Sequence, residues 1–175
     1  MKILNLHGLN GSAHNTNYEF LMKHFYTEDV QIISPQIDYA SDSPYRILLE
    51  LIRICRNPDI IVGNSFGGFF AYVMGATVPT VDLKTILVNP CIPAHEYIGK
   101  LVPEYKYADD LKELWNTVKG MNGNYKMLLG DSDEVLDINT TLNILKPSCN
   151  DYKIISGGHS LRGEEYESWF KEQLS

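Results

Sequence analysis

A serine with glycines on both sides is the first feature of this sequence that could do chemistry. Gly63-Asn64-Ser65-Phe66-Gly67 matches the pattern G-x-S-x-G and follows a short apolar, β-branched segment at 59–62. An apolar segment of helical character comes next, and a serine on a tight turn between a strand and a helix is exposed for nucleophilic attack. The flanking glycines have no Cβ, so neighbouring backbone can approach closely. The alternative is an ordinary Gly-rich turn with a solvated serine.

A histidine and an aspartate follow two later predicted strands. Asp133 comes after the segment at 125–129, and His159 lies in a Gly-Gly-His turn after the segment at 152–155. The chain order Ser65, Asp133, His159 is that of the α/β-hydrolases and differs from the chymotrypsin and subtilisin orders. Because the carboxyl ends of parallel strands meet at one edge of a sheet, three separate loops can converge there. The sequence therefore predicts a Ser-His-Asp triad for acyl transfer.

Three aspartates compete for the acid position of this triad. Asp131 comes first after its strand and can serve the turn itself, since aspartate favours turns. Asp137 is suited to capping the helix that follows. We favour Asp133, and the sequence leaves Asp131 open as the alternative.

A His-Gly turn follows the first predicted strand. His7-Gly8-Leu9 comes directly after Lys2–Leu6, where backbone N–H groups can form half of an oxyanion hole. The other half comes from the residue after the nucleophile. We predict that the N–H groups of Leu9 and Phe66 form the hole. An ordinary strand-exit turn is the alternative.

Together these motifs resemble a known family. The chain is similar to small, nearly lidless α/β-hydrolases, and most similar to the bacterial esterases of the YqiA type. The matching segments follow the family's order over nearly the whole chain: Leu6-His7-Gly8-Leu9-Asn10-Gly11-Ser12, Gly63-Asn64-Ser65-Phe66-Gly67-Gly68, Asn89-Pro90, Asp133-Glu134-Val135-Leu136-Asp137 and Gly157-Gly158-His159. The departures are Asp131 and Ser132 before Asp133, and Cys91 after Asn89-Pro90.

The resemblance implies hydrolysis of carboxylic esters or of acyl thioesters, and the small size of the cap expected at about 90–124 indicates small to medium acyl groups. The same triad would serve a thioesterase, an acyltransferase or an amidase, because nucleophile and oxyanion hole are common to acyl transfer. A non-catalytic binding protein that keeps the fold is the other alternative.

Composition restricts the partners. The 175 residues include 44% hydrophobic and 21% charged residues, which is typical of one globular domain over 1–175. The net charge of −7 argues against a nucleic-acid partner, which requires a basic face. No metal or nucleotide motif is present, so we expect no cofactor, and the resemblance implies a small-molecule ester substrate.

The expected location is the cytoplasm. No stretch resembles a signal peptide or approaches the length of a membrane span. The three cysteines, Cys55, Cys91 and Cys149, are odd in number and widely spaced, which indicates reduced thiols. Oligomeric state is open.

Strands and helices alternate along the chain, which predicts an α/β fold of three layers, α/β-hydrolase-like, with a mostly parallel sheet. About six strands are predicted, at 2–6, 30–34, 59–63, 85–89, 125–129 and 151–155. Predicted helices include one capped by Ser43 with Pro44 in its first position. Its apolar stripe predicts a well-buried helix: Tyr45, Leu48, Leu49, Leu51, Ile52, Ile54 and Cys55.

One irregular stretch, at about 90–124, is expected to form a small cap over the carboxyl edge of the sheet. It contains one predicted helix at 109–118 and a set of candidates for an acyl-binding wall: Ile92, Tyr97, Leu101, Val102, Tyr105, Tyr107 and Trp115. Alternatively these side chains pack the stretch onto the body. We predict substrate contacts for His7, Cys91 and Ile92, with a packing role as the alternative for Cys91.

Overall fold

Strands and helices alternate throughout the computed structural model, which describes residues 1–78 and 83–174. A 3₁₀ turn, Lys146–Ser148, joins the sixth helix to the sixth strand. The elements are β1 (Lys2–Leu6), α1 (Thr16–Phe25), β2 (Gln31–Ile33), α2 (Pro44–Ile54), β3 (Ile60–Asn64), α3 (Phe66–Thr77), β4 (Lys84–Val88), α4 (Ala94–Leu101), α5 (Ala108–Val118), β5 (Asn124–Gly130), α6 (Ile138–Leu145), β6 (Cys149–Ile155) and α7 (Glu164–Leu174).

The six strands form one sheet in the order β2-β1-β3-β4-β5-β6, and every pairing is parallel. The predicted fold class is therefore confirmed. The chain runs from β1 outward to β2 and then crosses back to β3, so the strand order reverses between β1 and β3. Ligand sites of open parallel sheets lie at such reversals, beyond the carboxyl ends of the strands. His7 and Ser65 follow the two strands on either side of this reversal.

Both faces of the sheet are covered, because neighbouring residues of each strand point to opposite sides. Leu4 packs in the core beneath α3, whereas its neighbour Ile3 packs with α1 and α7 on the other face. Phe20 of α1 and Phe170 of α7 make an edge-to-face ring contact at 5.3 Å within that second core. The result is three layers with the sheet in the middle.

Helix α3 is the most deeply buried helix segment near the site. Every residue from Phe66 to Met74 is buried, as its apolar sequence predicts. The helix approaches β1 very closely at Gly67, where a Cβ would collide with the carbonyl oxygens of Leu6 and His7. Only glycine permits this contact, which brings the start of α3 against the exit of β1.

The prediction that α2 is well buried was wrong. The helix begins as expected, with the Ser43 hydroxyl accepting the N–H of Arg46 at 3.3 Å. Only a narrow strip is buried, comprising Pro44, Ile47 and Leu51. Four members of the predicted stripe are exposed: Tyr45, Leu49, Ile52 and Ile54. Apolar spacing identified the helix, but the width of its contact with the sheet is set by tertiary packing.

The stretch after β4 contains two helices, not one. The predicted helix corresponds to α5, and α4 was missed because it is short and contains Gly99. The two helices pack together through buried Ile98 and Leu111. The Trp115 ring lies 5.8 Å from the Tyr72 ring of α3, which packs α5 onto the body of the domain.

A Gly67→Ala substitution is expected to destabilise the protein by about 3 kcal/mol, because the added methyl group would overpack the contact between α3 and β1. Gly99→Ala is the matched control, since a Cβ there meets nothing within 4 Å in a helix interior. It should be neutral or raise stability by up to about 1 kcal/mol. Urea unfolding measures both. Equal stabilities for the two variants would contradict the prediction.

Candidate active site

Ser65 lies at the turn between β3 and α3 in a strained backbone conformation. Its φ of 53° is in the left-handed region, which residues with a side chain rarely adopt. The Ser65 N–H donates to the Val88 carbonyl at 3.0 Å, and the Ser65 carbonyl accepts the N–H of Cys91 at 2.9 Å. Both bonds come from the exit of β4, so the neighbouring strand fixes the turn. Strain of this kind persists where surrounding structure determines the conformation.

A hydrogen-bonded chain joins Ser65, His159 and Asp133. The His159 Nε2 atom lies 2.9 Å from the Ser65 hydroxyl oxygen, and His159 Nδ1 lies 2.9 Å from Asp133 Oδ2. A carboxylate can only accept, so Nδ1 carries the proton and donates it to Asp133. The Nε2 lone pair then accepts the Ser65 O–H, which is the arrangement of a general base beside its nucleophile.

The Asp133 side chain is buried, and its carboxylate accepts hydrogen bonds from several donors. Its Oδ1 atom accepts the N–H groups of Val135 and Leu136 at 2.8 and 2.9 Å. Burial by itself would raise the pKa of Asp133, but the hydrogen bonds from His159 and from these two N–H groups together outweigh it and lower the pKa. The carboxylate therefore stays ionised beside His159.

The two other candidate aspartates lie elsewhere. Asp131 is exposed, and its carboxylate accepts the N–H of Gly157 at 3.1 Å and the Ser132 hydroxyl at 2.8 Å, two bonds that lower its pKa. Asp137 caps α6 by accepting the N–H groups of Asn139 and Thr140. Of the three carboxylates, Asp133 is the one that reaches the His159 ring.

The proposed oxyanion donors, Leu9 and Phe66, have N–H groups with no acceptor among the residues that the structure describes. The carbonyl of Gly8 accepts the N–H of Gly11 at 3.0 Å and lies 2.7 Å from His7 Nδ1. Because the C=O and N–H of one peptide point in opposite directions, these bonds orient the Leu9 N–H away from them. The turn is next to the nucleophile, since a Cβ on Gly8 would lie 3.1 Å from Ser65 Cβ.

The residues predicted to contact substrate are buried. His7 Nε2 accepts the N–H of Ile37 at 3.0 Å, so Nδ1 carries the proton and donates to Gly8. Burial lowers the pKa of His7, which keeps the ring neutral. Cys91 and Ile92 are fully buried, and burial, followed by the nearby Asp133 carboxylate, raises the pKa of the Cys91 thiol to about 12. Substrate contact by these three residues stays a prediction.

Two polar residues of the site were not assigned a role from the sequence. Glu134 accepts the backbone N–H of His159 at 3.0 Å, which lowers the pKa of its carboxyl. The Asn89 side chain bonds to the loops that carry both partners of Ser65. Asn89 and Glu134 appear in the family segments quoted above, but nothing in their spacing indicates these contacts.

An open cleft of about 300 Å³ adjoins the oxyanion turn. It is lined by Leu9, Asn10, Gly11 and residues 36–40. No group of three His, Cys, Asp or Glu side chains in 1–78 and 83–174 is placed to bind a metal ion. None of the helices described is long and apolar enough to span a bilayer.

The family relationship is settled by a sequence model that matches residues 2–168, nearly the whole chain. The chain belongs to the uncharacterised protein family UPF0227. The expected relationship to small α/β-hydrolases of the YqiA type is thereby confirmed. No curated protein matches the sequence.

Several solved structures share the fold. Est1E from Butyrivibrio proteoclasticus superposes with a TM-score of 0.71 at 16% identity, covering 99% of this chain and 88% of that one. The monoacylglycerol lipase of Paleococcus ferrophilus gives 0.71 at 14% identity, covering 99% and 93%. MGS-MChE2, an α/β-hydrolase from a lagoon-sediment metagenome in Morocco, gives 0.67 at 20% identity, covering 100% and 92%. These matches establish the α/β-hydrolase fold.

The stability of the protein should fall as the pH drops below about 6.5, the usual pKa of histidine. The native pKa of His7 is lowered, so the unfolded chain binds the proton first and stability is lost on acidification. This group contributes at most about 1.4 kcal/mol per pH unit. His7→Gln should flatten the curve of unfolding free energy against pH.

His14→Gln is the control, because His14 is exposed and lies in the loop before α1. This variant should keep the slope of the wild type. If His7→Gln kept that slope as well, the neutral buried state of His7 would be contradicted. Urea unfolding at a series of pH values provides the data.

Proposed function

We propose that this protein is a serine hydrolase that cleaves carboxylic esters of small to medium acyl groups through a covalent acyl-enzyme. The observation that carries the proposal is the chain from Ser65 through His159 to Asp133, with 2.9 Å at each step. It lies at the carboxyl edge of a parallel sheet, beside the N–H groups of Leu9 and Phe66, which have no acceptor within residues 1–78 and 83–174. The fold that it shares with esterases and lipases supports the same reaction class.

Acylation begins when the Ser65 hydroxyl oxygen attacks the ester carbonyl carbon. The Ser65 proton passes to His159 Nε2, and the ionised Asp133 stabilises the imidazolium that forms. The carbonyl oxygen becomes an oxyanion and accepts hydrogen bonds from the N–H groups of Leu9 and Phe66. One such donor typically lowers the barrier by about 3–4 kcal/mol.

The tetrahedral intermediate then collapses to the acyl-enzyme. The C–O bond to the alcohol breaks, and His159 gives its proton to the departing oxygen. Water enters, His159 takes one of its protons, and the hydroxide attacks the acyl carbon. The bond to Ser65 breaks as His159 returns its proton to the Ser65 oxygen, which releases the carboxylic acid and regenerates the serine hydroxyl.

The size of the cleft supports small to medium substrates. About 300 Å³ of open space adjoins Leu9, which is at the lower end of the range for ligand pockets. The helices α4 and α5 form a small excursion between β4 and β5. The three cysteines are free thiols, which supports a reducing compartment such as the cytoplasm as the place of action.

Labelling with a fluorophosphonate probe tests the activated serine. Wild-type protein should react at Ser65, as mapped by mass spectrometry, whereas His159→Ala should react far more slowly because the base is lost. Ser168→Ala is the control, since Ser168 is exposed on α7, and its labelling should equal that of the wild type. A folded wild type that resists the probe would favour the non-catalytic alternative.

Substrate class follows from matched oxygen esters, thioesters and amides of one acyl group. The proposal expects the oxygen ester to give the highest kcat/KM, and short or medium acyl chains to exceed long ones. Preference for the thioester or amide would assign the same site to that reaction. A marked preference for long chains would contradict the size argument.

The acid of the triad is tested by two substitutions of one kind. Asp133→Asn should lower kcat by about 10⁴-fold, because an amide no longer stabilises the His159 tautomer and imidazolium. Asp131→Asn should have little effect, since its side-chain oxygen still accepts the Gly157 N–H. Steady-state kinetics on the preferred ester measure both. The reverse pattern would move the acid role to Asp131.

A further inference from the structure

The side chain of Asn89 connects the loops that carry His159 and Asp133. Its Nδ2 group donates to the carbonyls of Gly158 and His159 at 3.1 and 2.9 Å. Its Oδ1 atom accepts the N–H of Gly130 at 2.8 Å, at the end of β5. Asn89 is 2% exposed, and both ends of its carboxamide are used in these bonds.

The backbone around Asn89 is joined to the nucleophile. Val88 accepts the Ser65 N–H, and Cys91 donates to the Ser65 carbonyl. The Asn89 N–H donates to Leu128 of β5 at 2.9 Å. Asn89 itself has a φ of 38°, in the left-handed region, which asparagine tolerates better than most residues. The exit of β4 therefore contacts all three loops of the candidate triad.

The bonds from Asn89 belong to a larger set around the His159 loop, of which they are the least exposed. Glu134 binds the His159 N–H, and Asp131 and Ser132 bind Gly157. Those three side chains belong to exposed residues, where water can replace a lost partner. The Asn89 side chain is buried and its bonds to the carbonyls of Gly158 and His159 are half-buried, so water replaces these donors less readily than it replaces the exposed ones. A carbonyl left without a donor there is costly. The loop is therefore expected to move when the amide is removed.

We propose that Asn89 is a positioning residue that holds His159 at bonding distance from Ser65 by anchoring the backbone of the His159 loop to the exit of β4. This inference rests on the proposed hydrolase function for its kinetic consequence. The structural part of the inference, that Asn89 maintains the distances from the His159 ring to Ser65 and Asp133, does not depend on the hydrolase function. Displacement of a catalytic group by about 1 Å can lower the rate by about 100-fold.

Two substitutions separate the carboxamide from the backbone conformation. Asn89→Gly keeps access to the left-handed φ and removes the side chain. Asn89→Asp keeps the size, the tolerance of this φ and an acceptor for Gly130, but it presents a carboxylate to two carbonyl oxygens in place of a donor. If only the backbone conformation mattered, both variants would behave like the wild type.

Asn57 provides the matched control. It has a φ of 50°, is exposed, and precedes β3 at the opposite edge of the sheet. Its side chain makes no hydrogen bond to any residue that the structure describes. Asn57→Gly and Asn57→Asp make the same chemical changes away from the site, so their activity should equal that of the wild type.

The kinetic readout is kcat and KM on the preferred ester, with the rate of fluorophosphonate labelling at Ser65. Asn89→Gly should lower kcat and the labelling rate by about 100-fold with KM nearly unchanged, because the base moves while the substrate site persists. Asn89→Asp should lower them at least as much. Activities of both variants within a few-fold of the wild type would overturn the proposal.

The structural readout is the proton NMR signal of the His159 Nδ1–H in its bond to Asp133, assigned by its absence in His159→Ala. The signal should be lost or shifted in both Asn89 variants and unchanged in both Asn57 variants. A retained signal in folded Asn89 variants would overturn the proposal. So would a failure of both to fold, since the bonds would then serve folding and not positioning.

The two proposals fail in different ways. A wild type that neither hydrolyses esters nor reacts with the probe contradicts the hydrolase function, and the NMR comparison still decides the role of Asn89. An active wild type with active Asn89→Gly and Asn89→Asp contradicts the positioning role alone.

Discussion

The backbone of Ser65 is the constraint on which the rest of the site depends. A left-handed φ at a non-glycine residue costs about 1–3 kcal/mol. Two features offset this cost: the hydrogen bonds from the exit of β4 to both peptide groups of Ser65, and the helix α3, which begins at the next residue and is buried from Phe66 to Met74. The close contact of Gly67 with β1 then fixes the distance between the nucleophile and the predicted oxyanion turn. The position of the serine is thus a property of three neighbouring strands.

Backbone groups as well as side chains are hydrogen-bond partners of the polar side chains near Ser65, as Asp133 and His7 show. Asp133 is ionised in a buried place because two N–H groups and His159 donate to it. His7 is neutral because burial lowers its pKa, and its ring accepts from Ile37 on one side and donates to Gly8 on the other. The exit of β4 links the loops that carry His159 and Asp133 through the half-buried and buried bonds of the Asn89 side chain.

Much of the fold followed from local patterns. The six strands were predicted within a few residues of their observed bounds. For the inner strands β1, β3, β4 and β5 the reason is that short apolar segments between turn residues indicate burial on both faces of a parallel sheet. Predictions from local patterns were wrong where burial or helix formation depended on residues distant in the sequence. Leu49 fits the apolar stripe predicted for α2 but is 70% exposed, since none of the helices and strands described covers that side of the helix. Helix α4 was missed because it is short and contains Gly99, and in the fold it packs against α5.

The sequence by itself determined the order of Ser65, Asp133 and His159 and the strands that they follow. The order is a property of the chain, and each strand is recognisable from its local composition. Tertiary structure decided which carboxylate reaches the His159 ring, why His7 is buried and neutral, and that Asn89 bonds to the His159 loop. These contacts join residues 26, 30 and 70 positions apart. Hydrogen bonds over such separations leave no periodicity in the sequence, so only the folded chain reveals them.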